Sequence, residues 1–370
     1  MKSIKKSDIV IYATLFLFTV NVSAQDFDEL EFGTDSTFEI LTWNIEWFPK
    51  NGQITVDYVT QIIQALEIDV LAIQEVSDTL LFNQMLDELT GYESYYQSAW
   101  FAGLAYIYKT NAIEINDIYE IYTTAPYWSP FPRSPMVMDM TYLGENIIII
   151  NNHFKCCGDG YLDLDDPDDE ETRRYLASNL LKEYIDTNFS NNNVIVLGDL
   201  NDILTDDTEN NVFQMILNDT ENYLFADMEI AAGNSSEWSY PWWPSHIDHI
   251  LITNELFDEF ENESSKVQTI KIDEFMDGGF DEYYENISDH RPVALKLEFI
   301  ALSDGDVNGD GVTDIIDINI LVDFILGNQI PTPSQFAAAD LNQDTIIDVM
   351  DIVLLVDLIL GSTLLPVQSR

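Results

Sequence analysis

The stretch Asn193-Val194-Ile195-Val196-Leu197-Gly198-Asp199-Leu200-Asn201-Asp202 constrains this chain more than any other. An apolar run of strand length breaks at a glycine, and Asp199 and Asn201 follow two residues apart, so both side chains emerge on one side of the strand's end. A carboxylate and an amide placed there can hold a water or a metal ion beside a phosphate, although an ordinary Asp/Asn turn uses the same residues. The rest of the chain repeats the arrangement. Phe38 to Trp43 reads as a strand that delivers Asn44 and Glu46 on one face, and an amphipathic helix from Val56 to Leu66 leads into a buried-type strand, Asp69 to Glu75. A helix over Asp78 to Leu89 precedes strands expected over Gln97 to Lys109, Met136 to Tyr142 and Ile147 to Asn152, the last running into His153. A helix opened by Arg173 and Arg174 returns the chain to the first stretch. A strand from Ser245 to Leu251 then bears Asp248, and Ser288-Asp289-His290-Arg291 leads into a closing strand, Val293 to Ile300. All four histidines, His153, His246, His249 and His290, fall in these strand-end clusters.

Lys2, Lys5 and Lys6, an apolar run from Ile9 to Val20 and the small residues of Val22-Ser23-Ala24 read as a secretory signal over residues 1–24, too short for a comfortable membrane span. An acidic linker over residues 25–36 follows, and the mature protein is expected to be exported. The formal net charge is −51, which repels polyanions and favours cations, so a phosphate substrate has to be met by metal. The two cysteines, Cys156 and Cys157, are adjacent, which leaves a vicinal disulfide, two thiols or a pairing between chains. The acidic loop from there to Glu171 is either a calcium loop or a solvated insertion. The tryptophans of Glu237-Trp238-Ser239-Tyr240-Pro241-Trp242-Trp243-Pro244 suit stacking on a base or sugar, and equally loop packing.

Taken in order, TWNIE, IQE, NNH, GDLND, HIDHIL and SDHRP resemble the endonuclease/exonuclease/phosphatase superfamily over residues 37–300. The resemblance implies an α/β four-layer sandwich, two mixed β-sheets face to face with helices outside, and an active site at one end of the sheets. Carried across position by position, Glu75 resembles the principal Mg²⁺ (or Mn²⁺) ligand, with Asn44 and Asp289 beside it and Glu46 as a participant. Asp199 and Asn201 resemble the pair that orients the attacking water, His290 the histidine supported by a carboxylate, here Asp248, and His153 a second phosphate-contacting histidine. The implied activity is metal-dependent phosphodiester hydrolysis with nucleic acid as the favoured substrate. Its rivals are a sphingomyelinase or other phosphoesterase on the same frame, and a degenerate, non-catalytic binding protein. Lys109, Arg133, Lys155, Arg173, Arg174 and Arg291 are the cationic candidates for phosphate contact.

Beyond residue 303 oxygen-bearing residues recur at the spacing of a twelve-residue calcium loop: Asp306, Asn308, Asp310, Asp314 and Asp317, with the Val312 carbonyl between them and Gly311 at the sharp turn. Asp340, Asn342, Asp344, Asp348 and Asp351, with Ile346 supplying the carbonyl, repeat the spacing 34 residues later. Each loop runs into an apolar helix followed by a glycine, Gly327 and Gly361. The duplicated loop and single helix over residues 303–363 look like a type I dockerin, which implies two Ca²⁺ ions and a cohesin-like scaffold or surface partner. Thr345 replaces the turn glycine of the second loop, and Ile315-Ile316 and Val349-Met350 stand where a Ser/Thr pair is common in that family.

Overall fold

In the computed structural model the described residues are 27–361, except 28, 35, 99, 100, 300, 301, 303 and 332; the expected signal over 1–24 and part of the linker lie outside them. In chain order the first region runs β1 (Phe38–Phe48), α1 (Gln53–Leu66), β2 (Val70–Val76), α2 (Thr79–Glu88), β3 (Tyr92–Tyr95), β4 (Gly103–Lys109), β5 (Glu114–Glu120), β6 (Met136–Tyr142), β7 (Glu145–His153), α3 (Glu170–Asn188), β8 (Asn193–Asp199), β9 (Tyr223–Phe225), β10 (Asp248–Thr253), β11 (Lys266–Thr269) and β12 (Val293–Leu297). Two six-stranded sheets result, in the orders β11-β12-β1-β2-β4-β3 and β5-β6-β7-β8-β10-β9. Both are mixed: β1 pairs with β2 and β7 with β8 in parallel, and the other pairings are antiparallel.

The apolar residues divide by strand parity. Ile40, Val70, Ala72 and Leu295 of one sheet meet Met138, Ile149, Ile195, Leu197 and Ile250 of the other in a fully buried middle layer. The opposite faces carry Leu41, Trp43, Leu71 and Ile73, covered by α1 and α2, and Ile148, Ile150, Val194 and Val196, covered by α3. Strands buried on both faces explain the unbroken apolar runs, and each such side chain contributes roughly 1.5–3 kcal/mol by leaving water. This is the four-layer α/β sandwich. Polar ties cross the middle layer beneath one end: Gln74 Nε2 donates to Asn151 Oδ1 at 2.8 Å, and Asn151 Nδ2 donates to the Ile73 and Ala105 carbonyls.

Side-chain caps set the starts of several helices. Asp78 caps α2, its carboxylate accepting from the Leu80 and Leu81 amides. The helix expected from Arg173 starts three residues earlier, at Glu170, because Asp169 Oδ2 accepts from the Thr172 amide at 2.7 Å and closes the first turn. The strand expected over 97–109 begins only at Gly103, and β3, β5, β9 and β11 carry too little periodicity to be read in advance. In the C-terminal region helices Ile315–Leu326 and Val349–Ile359 follow the two acidic loops, and Leu321 and Leu355 are buried with Val307 and Ala339 in a small core. Among the described residues no helix is long and apolar enough to cross a membrane.

Candidate active site

Strand register assembles the site. His153 at the end of β7 lies opposite Asp199 at the end of β8, and Asp199 lies opposite Asp248 at the start of β10, so three neighbouring strands present titratable groups at one level. In the facing sheet Asn44 is paired with Gln74, the residue before Glu75. Close backbone approach makes this alignment dependent on glycine. A Cβ on Gly198, at φ 146°, would fall 2.0 Å from the Asn152 carbonyl oxygen.

The two sheets meet at Asp199. Asn44 Nδ2 donates to Asp199 Oδ2 at 2.9 Å, His153 Nε2 lies 3.5 Å from that same oxygen, and His290 Nε2 lies 3.8 Å from it. Asp199 Oδ1 accepts the Asn201 amide, whose residue takes a left-handed φ of 55°. The Asn201 side chain donates to the Phe154 carbonyl at 3.3 Å. His290 Nδ1 is 2.8 Å from Asp248 Oδ2, and His290 Nε2 is 3.8 Å from Asp289 Oδ1. Glu75, at φ 68°, accepts the Trp47 amide through Oε2 and places Oε1 3.8 Å from His153 Nε2. Glu46 pairs with Lys50. The residues singled out in the sequence therefore converge on one end of the sandwich, with Glu46 and Asp289 at its rim and Asn201 turned toward the backbone after His153.

Charge is arranged unequally. Burial opposes a charged His290, yet the adjacent Asp248 and Asp199 carboxylates overcome it and hold the imidazole up at about 10. Burial, with the Arg133 and His290 charges, pushes His153 well below its ordinary value, so one histidine is cationic and its neighbour neutral near pH 7. Burial also raises Asp199 to about 7, against the pull of His290, and raises Glu46, to which the Asp289 charge adds.

Several supporting residues carried no usable sequence signal. Ser288 Oγ donates to the Asn44 carbonyl at 2.6 Å and accepts the His290 amide at 3.0 Å, joining β1 to the His290 turn. Ser239 Oγ accepts the Asp248 amide, and the Tyr240 ring lies 4.9 Å from the His290 ring. Asp227, an isolated acid between short elements, binds both remaining histidines through Oδ2: His246 Nε2 at 3.0 Å and His249 Nδ1 at 2.6 Å. A cation cannot replace these bonds easily. Ser239 N–H donates to His246 Nδ1, so that nitrogen is bare, Nε2 carries the proton and no lone pair remains for a metal. His249 Nε2 donates to the Asp202 carbonyl at 2.8 Å, which makes the cluster a pin for the Asp199–Asp202 loop.

Most of the expected phosphate-contacting cations are already engaged. Arg174 is buried and binds Asp202 and Glu171, Arg291 forms a two-pronged pair with Asp273, and Lys109 lies against Asp69 and the Glu67 carbonyl. Arg173 donates to the Ser129 carbonyl, and Lys155 faces Glu170. Arg133 donates to the Ala102 carbonyl and is the cation whose charge is felt at His153.

The acidic loops of the C-terminal region are closed by their own first and last carboxylates. Asp306 accepts the Gly309 and Gly311 amides, and Asp317 accepts those of Val307, Asn308 and Asp314. Asp340 accepts the Asp344 and Thr345 amides, and Asp351 those of Asn342 and Asp348. Asp314 and Asp348 cap the following helices, Asp310 and Asp344 turn the loops, and the side chains of Asn308 and Asn342 donate to them at 2.9 and 3.0 Å.

Two facing mixed sheets with a His–Asp pair, a second histidine and an Asp/Asn strand end at one edge define a phosphoesterase-type fold. The chain belongs to the Endonuclease/Exonuclease/phosphatase family, whose model matches residues 41–290, and residues 304–360 match the Dockerin type I domain. Among curated proteins nothing matches. Similar solved structures include TDP2 of D. rerio complexed with a single-strand DNA product, at 13% identity and a TM-score of 0.53, covering 72% of this chain and 100% of that one. The human Nocturnin catalytic domain with bound sulfate is 16% identical at a TM-score of 0.52, covering 71% of this chain and 95% of that one. An endonuclease/exonuclease/phosphatase protein from Bacteroides vulgatus is 15% identical at 0.50, covering 72% and 100%. At these identities the likeness is one of fold.

Proposed function

We propose that the protein is a secreted, metal-dependent phosphodiester hydrolase acting on nucleic acid. The observation that carries this reading is the convergence of Asn44, His153 and His290 on one oxygen of Asp199, within 2.9, 3.5 and 3.8 Å. A phosphodiester is negatively charged, so its hydrolysis needs hydrogen-bond donors, one of them cationic, on the phosphoryl oxygens and a carboxylate that accepts the proton of the attacking water. Asp199 is the acceptor and, with Asn201, orients the water. His290, held by Asp248, donates to the phosphoryl oxygens, and His153 is a second donor. Glu75 with Asn44, Asp289 and Glu46 would hold Mg²⁺ or Mn²⁺; the set offers oxygen donors, and the Asp289 charge helps to raise the Glu46 carboxyl, a repulsion that a hard divalent ion relieves. When bound, such an ion neutralises developing charge at the phosphate and the leaving oxygen.

The C-terminal region serves as a calcium-loaded docking module for a cohesin-like partner. Ca²⁺ would be held by Asp306, Asn308, Asp310, Asp314, Asp317 and the Val312 carbonyl, and by Asp340, Asn342, Asp344, Asp348, Asp351 and the Ile346 carbonyl. Ile315, Ile316, Val349 and Met350 are 48–68% exposed at the starts of its two helices, so the partner meets an apolar rather than a hydroxyl surface.

The test is hydrolysis of DNA, RNA, sphingomyelin and inositol phosphates by the purified protein with Mg²⁺, then with EDTA. DNA or RNA cleavage lost with EDTA is expected, and Asp199→Ala or His290→Ala should reduce it by at least about 10²-fold. Undiminished cleavage by both variants would sink the assignment, and selective sphingomyelin cleavage would move the substrate to lipid.

A further inference from the structure

Cys156 and Cys157 are the only cysteines in the chain and have no part in the reaction proposed above. Both are exposed, and Cys157 Sγ donates to Cys156 Sγ across 3.0 Å. Lys155 Nζ lies 3.7 Å from Cys156 Sγ. Cys156 Sγ thus has a thiol donor and an ammonium group as its polar neighbours, and the thiolate is the form of a cysteine that attacks disulfides. The backbone turns the two sulfurs toward each other, with Cys157 at φ 71° and Gly158 at φ 115°, whereas neighbours in an extended chain point apart.

This loop is wired to the site. Buried Arg174 donates to the Lys155 carbonyl at 2.8 Å, to the Cys157 carbonyl at 2.7 Å and to Asp202 Oδ2 at 2.7 Å. One guanidinium thus ties the segment that follows His153 to the loop that follows Asp199. Arg174 holds the carbonyls of the peptides on either side of the Cys156–Cys157 peptide, so a rearrangement of that peptide displaces its neighbours against the guanidinium.

We propose that Cys156 and Cys157 are an oxidation site, a reversible dithiol and vicinal-disulfide couple whose state reaches the catalytic end of the sheets through Arg174. The oxidant is a low-molecular-weight disulfide. Cys156 thiolate attacks one of its sulfurs, forming a mixed disulfide and expelling one small thiolate. Cys157 loses its proton to solvent and attacks Cys156 Sγ, expelling the second. The protein gives up two protons and two electrons, and the small disulfide becomes two thiols. Adjacent Cα atoms are about 3.8 Å apart, less than the roughly 4.4–6.8 Å of ordinary disulfides, so the closed ring is strained and readily reopened. The couple is therefore a modification and not a staple.

The whole protein, incubated with oxidised glutathione, should lose both titratable thiols, fall in mass by about 2 Da, and remain a single chain on a non-reducing gel. Reduced glutathione should restore both thiols. Thiols that stay free, a persisting glutathione adduct, or cross-linked dimers would overturn the couple. The link to the catalytic end rests on the phosphodiesterase reading. Hydrolysis of bis(4-nitrophenyl) phosphate should differ between the oxidised and reduced protein by at least about fivefold, and the difference should vanish in the Cys156→Ser/Cys157→Ser variant. Equal rates in an active protein would overturn the link. No hydrolysis in either state would remove the link together with the phosphodiesterase reading, while the thiol counts would still decide the couple.

Discussion

At the residue scale, the acids of this chain are not interchangeable, and burial decides what each does. Asp248 is fully buried and its bond to His290 Nδ1 keeps that imidazole oriented and charged. Asp248→Asn preserves the shape and removes the charge; kcat for a phosphodiester is expected to fall by about 10²–10⁴-fold with an unchanged circular dichroism spectrum. An unaltered kcat would show that the pair is architectural. Glu39, at the start of β1, is also fully buried, accepting from the Thr34 amide and the Thr37 hydroxyl with Lys296 3.9 Å away. Burial, reinforced by Asp69, raises its carboxyl to about 8. A folded value above the unfolded one means that the neutral form is favoured on folding. The stability it brings is complete below the ordinary 4.5 and is lost as pH rises through 8. Glu39→Gln should therefore gain in melting temperature over the wild type as pH is raised across that interval, and a constant difference would refute the assignment.

At the element scale, the two calcium-type loops are near copies with different backbone cost. Gly309 and Gly311 adopt φ of 72° and 80°, and the matching positions of the second loop force Gln343 and Thr345 to 57° and 68°. A β-branched residue in the left-handed region costs about 1–2 kcal/mol relative to glycine. Thr345→Gly should tighten calcium binding to the second loop by about fivefold or more and raise the melting temperature of the calcium-loaded domain, as read by isothermal titration and circular dichroism. The helices themselves were legible in advance, since acidic caps and apolar spacing are local signals. The four strands that escaped notice, β3, β5, β9 and β11, are short or half-exposed, and their place is decided by pairing partners far along the chain.

At the scale of the whole molecule, the formal charge of −51 acts on any polyanionic substrate before contact. Basic nucleic-acid binders lose affinity as salt rises, because counterions are released. Here screening removes repulsion instead, so KM for long DNA at fixed Mg²⁺ should decrease as ionic strength is raised from about 10 to 100 mM. A steadily rising KM would point to a cationic track that the acidic total conceals. The engagement of Arg174, Arg291 and Lys109 in internal pairs sharpens this expectation, because cations counted in the sequence as phosphate contacts are committed to holding loops.

Through its resemblance to a known superfamily the sequence implied the layered class; by itself it determined the strand-end positions of Glu75, His153 and Asp199, the candidate roles of Asn44, Asp248 and His290 beside them, and the duplicated acidic loops. These depend on periodicity, turn glycines and ligand spacing, which are properties of neighbours in the chain. Only the tertiary structure decided which strand ends share a level, that Asp199 receives both Asn44 and two histidines, and that Arg174, Ser288 and Asp227 are the struts behind them. Those relations arise from register between strands and from burial, and both are set by contacts between residues that the chain order keeps far apart.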